Sequence, residues 1–262
     1  MLIEETLASG MRVWHARPDT REPRPLMLML HERYGPVQHS FNVIERIAEA
    51  GFVACFMDMF HRYEGDRAPI EKSEARVDPT DEESVADLDE TIAHMRTLGY
   101  VDGGRIGVVG FCLSGRTPLV YAAARGGVSA IAVFHGGVYP RDYAGSTAGQ
   151  EPVSNVIPKL PCPVLGMFGE LDPLVPLENV QRFRRDLERA RKHYRIRVYA
   201  GTPHGWQNST MPDHYRPGPA DAAWGETVDF FNEVFAGRWD DGRLRWQFEP
   251  DAAVTYDFSA QH

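Results

Sequence analysis

The stretch Arg105-Ile106-Gly107-Val108-Val109-Gly110-Phe111-Cys112-Leu113-Ser114-Gly115 decides how this chain is read. A run of apolar β-formers, Arg105–Val109, ends in Gly-x-Cys-x-Ser-Gly. A helix-like segment carrying Leu119, Val120, Ala122, Ala123 and Ala124 follows. Strand, abrupt turn and helix in that order put the middle residue of the turn at the carboxyl end of a sheet and over a helix N-terminus. The turn is tight, so the positions two before and two after Cys112 must be small. Gly110 meets that demand fully. Ser114 meets it less well than glycine would, and Gly115 follows it. The partial positive charge of a helix N-terminus favours thiolate over thiol. Cys112 is therefore a candidate nucleophile. Alone, the string also fits a small, inert core cysteine, so the rest of the chain must decide.

The chain has 262 residues, 43% hydrophobic and 25% charged, with a formal charge of −9. That length is ample for one core. The negative charge argues against nucleic acid, which demands a basic face. No apolar run approaches membrane-spanning length, and the acidic start Met1-Leu2-Ile3-Glu4-Glu5-Thr6 lacks a signal-peptide pattern. Three irregularly spaced cysteines imply no disulfide framework. Cys55 and Cys162 read as structural. A cytoplasmic, reducing setting is expected, one that keeps a catalytic thiol intact. The histidines show no metal-ligand spacing, so no metal and no cofactor are expected.

Strand-like and helix-like segments alternate. Strands are expected at Leu2–Thr6, Met11–Trp14, Leu26–His31, Phe52–Met57, Arg105–Val109, Ala130–Phe134, Val164–Phe168 and Arg195–Tyr199. The Leu26–His31 run is continuously apolar, as in a strand buried on both faces. Helical spacing joins Phe41, Ile44, Ile47 and Ala48. It also joins Val85, Leu88, Ile92 and Met95, behind a capping box at Thr80-Asp81-Glu82-Glu83. Two further helices carry Leu177, Val180, Phe183 and Leu187, and then Trp224, Val228, Phe231 and Phe235. This alternation implies a mostly parallel central sheet with helices on both faces. Ligands in such folds bind beyond the carboxyl ends of the strands. Three segments at that rim are too long for simple connections: His61–Pro79, Gly136–Leu160 and Gly205–Pro219. They are expected to shape a pocket. Residues 1–236 read as one domain and 237–262 as a C-terminal extension. In the extension Leu244, Trp246 and Phe248, then Val254, Tyr256 and Phe258, alternate with polar residues as in two short half-buried strands. Packing on the chain's own domain is preferred; a homodimer contact is the alternative.

An elbow of this kind predicts its partners in chain order: nucleophile, acid, histidine. The strand Val164–Phe168 runs into Gly169-Glu170-Leu171-Asp172-Pro173-Leu174-Val175-Pro176. The strand Arg195–Tyr199 runs into Ala200-Gly201-Thr202-Pro203-His204-Gly205-Trp206. Asp172 and His204 thus fall at the same sheet edge as Cys112, with Glu170 as a rival acid. His31 and His135 also stand at strand ends.

These strings resemble the dienelactone hydrolase family of the α/β-hydrolase superfamily. The likeness rests on Gly110–Gly115, Gly169–Pro176, Gly201–Gly205 and His31-Glu32-Arg33-Tyr34-Gly35, and runs from about Leu26 to about Phe235. It implies an α/β-hydrolase fold and cleavage of a carboxylic ester or lactone through a Cys-His-Asp triad and a covalent acyl-enzyme. Cys112 would attack as thiolate, His204 would move the proton and Asp172 would orient the imidazole. The resemblance assigns the oxyanion hole to the backbone N–H groups of Leu113 and Arg33. It makes Glu32 an extra acid that contacts the resting thiol and helps trigger its ionisation. The family holds a carboxylate-bearing lactone with two arginines. The one four positions after the histidine is Asn208 here. Arg62, Arg67 and Arg76 are candidates for the other, and Arg67 is carried forward. Tyr34 and Trp206 suggest an aromatic-lined pocket. A small-molecule ester or lactone is the expected partner. Thioester cleavage or acyl transfer on the same triad, or a non-catalytic small-molecule binding protein of this fold, are the alternatives.

Overall fold

The apolar run at Leu26–Leu30 splits by parity, as a strand buried on both faces must. Leu26, Leu28 and Leu30 face one core and Met27 and Met29 the other. Val53, Cys55 and Met57 separate from Ala54 and Phe56 in the same way. The computed structural model describes residues 2–144 and 150–251. Among them the strands are β1 (Leu2–Thr6), β2 (Arg12–Ala16), β3 (Arg24–Leu30), β4 (Val53–Met57), β5 (Val101–Phe111), β6 (Ala130–Phe134), β7 (Val164–Gly169), β8 (Tyr194–Tyr199) and β9 (Trp246–Pro250). They form one sheet in the order β1-β2-β4-β3-β5-β6-β7-β8-β9. β2 runs antiparallel to β1 and β4. Every pairing from β4 through β9 is parallel.

The helices are α1 (Gln38–Glu49), α2 (Ala68–Glu71), α3 (Asp81–Arg96), α4 (Thr117–Arg125), α5 (Pro140–Ala144), α6 (Val153–Val156), α7 (Leu177–Arg189) and α8 (Pro217–Phe235). α3, α4 and α7 cover one face of the sheet, α1 and α8 the other. The predicted capping box is formed: the Thr80 hydroxyl accepts from the Glu83 N–H, and the Glu83 carboxylate accepts from the Thr80 N–H. Val85, Leu88, Ile92 and Met95 are all buried.

Two expected elements form with added detail. The helix expected from Trp224, Val228, Phe231 and Phe235 forms as α8, and its fully buried residues are Ala220, Ala223, Thr227, Phe230 and Phe231. Small side chains let the helix approach the sheet closely, and Phe231 settles over Gly107, where a Cβ would collide with its ring. Trp224, Val228 and Phe235 cover the flank. The first strand-like run of the C-terminal extension does form, but as β9, added in parallel beside β8. The second run, Val254 to Phe258, lies outside the described residues. No helix among the described residues is long and apolar enough to cross a membrane.

Candidate active site

Cys112 leaves β5 with φ 50°, a left-handed conformation that costs strain in any non-glycine residue. Its neighbours explain why the chain tolerates this. A Cβ on Gly110 would collide with the Ser114 carbonyl and Pro118, and one on Gly136 would collide with the backbone of Cys112. Ser114, expected to be a poorer fit than glycine, is used instead. Its hydroxyl accepts from the Phe111 N–H at 3.0 Å and is 2.9 Å from the Leu30 carbonyl, to which it donates. The elbow is thereby tied to the end of the neighbouring strand β3. A 3-10 turn, Cys112–Arg116, leads into α4.

The acid and histidine loops lock onto each other. Leu171 N–H donates to the Thr202 carbonyl at 3.0 Å, and Gly169 lies so close to Thr202 that no side chain would fit there. Glu170, the rival acid, spends its carboxylate on the Gly201 N–H at 2.7 Å. Asp172 is buried and points inward. One of its oxygens accepts from the N–H groups of Leu174 and Val175 at 2.8 and 3.1 Å. The other accepts from His204 Nδ1 at 2.8 Å. His204 Nε2 stands 3.1 Å from Cys112 Sγ. Burial alone would lower the His204 pKa, but the Asp172 carboxylate and the Cys112 sulfur hold its proton and push the value up to about 10. At neutral pH both ring nitrogens therefore carry protons, one aimed at Asp172 and one at the sulfur.

Tyr139 also reaches the sulfur, its hydroxyl 3.6 Å from Sγ. Burial first, and the adjacent Cys112 next, raise its pKa, so the hydroxyl stays a donor. His135 ends β6 with φ 37° and is fully buried. It packs edge-to-face on His204 with ring centroids 4.7 Å apart. Burial first, and the His204 cation next, drive its pKa well below the usual histidine value, so it is neutral.

Glu32 follows β3 and is buried. It accepts from Asn208 Nδ2 at 2.7 Å and lies 3.7 Å from His135 Nε2. The sulfur's hydrogen-bond partners among the described residues are His204 and Tyr139, so the resting contact with Glu32 implied by the resemblance is not the one adopted here. His31 braces this turn from behind. Its Nε2 accepts from the Met59 N–H at 3.0 Å, which leaves the proton on Nδ1 to donate to the Glu32 carbonyl at 2.7 Å.

The cavity over the sulfur has a volume of about 810 Å³. All three long segments supply its wall: Arg76 from the first, Tyr139, Pro140 and Arg141 from the second, His214 from the third. Leu113, Arg33 and Tyr34 line it. Leu171 and Leu174, 61% and 51% exposed, give it an apolar rim. Three predicted substrate contacts are absent from it. Trp206 is fully buried in the core beneath α8 and packs on Tyr199 with centroids 4.8 Å apart, because the turn after His204 sends it behind the sheet. Arg67 is tied to Asp58 at 3.1 Å and to the Phe60 carbonyl at 2.6 Å. Asn208 spends its amide on Glu32 and on Thr210. Of the three arginine candidates it is Arg76, not Arg67, that lines the cavity; Arg141 and Tyr139 line it too and were not assigned to the site from the sequence. The length of the two loops that carry them was the available signal.

A model of the dienelactone hydrolase family matches residues 11–235 of this chain. A protein of Methylorubrum extorquens, provisionally named carboxymethylenebutenolidase, is 28% identical over 225 residues, covering 84% of this chain and 76% of the relative. A Bradyrhizobium protein, provisionally named 2-oxo-3-(5-oxofuran-2-ylidene)propanoate lactonase, is 26% identical over 227 residues, covering 85% of this chain and 89% of the relative. Among solved structures, a Klebsiella pneumoniae protein provisionally described as a dienelactone hydrolase superposes with a TM-score of 0.79 at 24% identity, covering 89% of this chain and 99% of that one. Esterase Est1E from Butyrivibrio proteoclasticus superposes at 0.66 and 17% identity, covering 90% and 99%. These two structural likenesses speak for the fold.

Proposed function

The chain belongs to the dienelactone hydrolase family, a family of ester and lactone hydrolases, and from that premise we propose that it works through a covalent acyl-enzyme on Cys112. The observation that carries this reading is the position of His204, one ring nitrogen 2.8 Å from Asp172 and the other 3.1 Å from Cys112 Sγ. The sulfur attacks the substrate carbonyl as thiolate, its proton held on His204. Charge moves to the carbonyl oxygen, which the N–H groups of Leu113 and Arg33 would receive. One such donor is typically worth about 3 kcal/mol of barrier. The tetrahedral adduct then collapses, and the departing alkoxide takes the proton from His204 Nε2. With an ester it leaves as an alcohol; with a lactone it stays tethered to the acyl group. Neutral His204 next takes a proton from water, which attacks the thioester and frees Cys112. Asp172 holds Nδ1–H throughout and stabilises the imidazolium.

The cavity supports a substrate with a substantial apolar part. Leu171, Pro173, Leu174 and Pro203 form much of its wall. Arg76 is already paired with Asp78 across two N–H groups. Asn208 replaces one of the arginines expected from the resemblance and faces Glu32 instead. A panel of p-nitrophenyl esters and neutral and carboxylate-bearing lactones, run on the wild type and Cys112→Ala, tests the reading. Turnover confined to the wild type supports it; turnover surviving in Cys112→Ala removes the proposed nucleophile.

A further inference from the structure

Mechanism leaves one residue at this site without employment. His135 is fully buried, sits in a strained left-handed backbone conformation, and neither ring nitrogen makes a hydrogen bond of good geometry among the described residues, Gln207 and the Glu32 carboxylate at 3.7 Å being polar neighbours. A buried, unpartnered imidazole is costly unless something else uses its lone pair. Its ring lies against His204, and one potential ligand atom each from Cys112, His135 and His204 fall within 4.8 Å of one another. Sulfur plus two imidazole nitrogens is the donor set that soft divalent cations prefer.

We propose that Cys112, His135 and His204 form a three-ligand site for a soft divalent cation of the zinc class, which occupies the nucleophile and so switches hydrolysis off reversibly. Zinc–sulfur and zinc–nitrogen bonds of about 2.3 and 2.0–2.1 Å in tetrahedral geometry set ligand atoms roughly 3.3–3.6 Å apart. The 3.1 Å between Cys112 Sγ and His204 Nε2 is close to that spacing, and a separation as wide as 4.8 Å must contract by roughly 1.2–1.5 Å. One outer group that orients a metal ligand is present, Asp172 on His204 Nδ1 at 2.8 Å, and the Glu32 carboxylate lies 3.7 Å from His135 Nε2, short of a hydrogen bond. The fourth position would face the large cavity, where water can complete the tetrahedron. The step is a ligand exchange with no redox component. The cation forms one bond to sulfur and two to nitrogen, and the protons held by the Cys112–His204 pair pass to solvent. Affinity therefore rises with pH. Chain order hides the site, because its ligands are spread over three separate strand ends instead of one short motif.

The test uses metal-free full-length protein titrated with Cd²⁺, read as sulfur-to-cadmium charge-transfer absorption, and with Co²⁺, read in its visible bands. The expected result is saturation at one ion per chain, reversed by EDTA, with loss of the cadmium band in Cys112→Ala. Affinity should fall by about tenfold or more in His135→Ala, at least the size of effect that outer-sphere partners alone produce. Should His135→Ala fail to fold, zinc-edge X-ray absorption on the wild-type complex decides, with one sulfur and two imidazoles expected. Absence of the charge-transfer band, undiminished affinity in folded His135→Ala, or a single imidazole in the absorption spectrum would each overturn the site. None of these readouts depends on turnover, so they stand apart from the ester panel.

Discussion

The carboxyl ends of β5 and β6 and the outer edge formed by β8 and β9 follow opposite rules. At the outer edge the arginines of β8 meet polar and acidic partners on β9 and α8. Arg197 faces Glu249 in register and bonds it at 2.6 Å, and Arg195 faces Gln247 and bonds it at 2.7 Å. Arg195 also reaches Glu233, which in turn accepts from the Trp239 indole. At the ends of β5 and β6 the chain instead accepts strain and incomplete pairing. Cys112 and His135 are two of the four described non-glycine residues with positive φ, and the ring nitrogens of His135 make no hydrogen bond of good geometry among the described residues. Local rules that a stable fold obeys elsewhere are broken where chemistry is expected. The cysteines repeat the lesson. Cys55 and Cys162 lie in the apolar core, where burial raises both thiols, Cys162 to about 12. Cys112 instead has the His204 imidazole 3.1 Å from its sulfur.

If the two regions differ in this way, damage should sort accordingly. The largest effect is expected at the nucleophile: Cys112→Ala should lower kcat/KM on a p-nitrophenyl ester by on the order of 10⁶-fold, with little change in melting temperature. Asp172→Asn comes next, with a loss on the order of 10⁴-fold in kcat. It should also move the alkaline limb of the pH–rate profile. His204 must keep its proton to release the alkoxide, so wild-type activity should fall as pH rises through about 10. Without the Asp172 carboxylate that limb should shift down towards the ordinary histidine range. A limb that stays in place in Asp172→Asn would break the assignment of the proton to His204.

The same linkage acts on stability. The folded His204 pKa lies above its unfolded value, so this contribution is fully present below about 6.5 and is lost as pH rises through about 10. Unfolding midpoints in denaturant should fall across that window in the wild type and stay flatter in His204→Ala.

Much of this was legible in the chain because each chemistry-bearing residue stands just past a strand. The parity of Leu26–Leu30, the capping box at Thr80 and the order Cys112, Asp172, His204 depend on local pattern and on the rule that parallel strands share one rim. What was illegible depends on how loops turn. Trp206 is two residues from His204 in sequence yet faces the opposite core. Asn208 looked like a substrate contact but serves Glu32. The Tyr139 hydroxyl reaches the sulfur only through the fold of a long connection. The burial of small Ala220 and Ala223 on α8 had no bulky side chain in the sequence to mark it.

A smaller effect is expected at the elbow's supporting glycine. Gly110→Ala forces a methyl group against the Ser114 carbonyl and Pro118, and should cost about 1–3 kcal/mol of stability while slowing acylation. The smallest belongs to the outer edge. Arg197→Met removes ion pairs with Glu249 and Glu226, and should change stability by about 1 kcal/mol and leave kcat/KM unaltered. A large activity loss from Arg197→Met would erase the contrast between the two regions.

The central claim is a covalent bond between substrate acyl group and one particular sulfur. Acid-quenching the enzyme during turnover of a p-nitrophenyl ester, followed by peptide mass analysis, reads that bond directly. The account predicts an acyl adduct on the peptide containing Cys112 and unmodified peptides for Cys55 and Cys162. An adduct on any other residue, or steady turnover in Cys112→Ala, would contradict it.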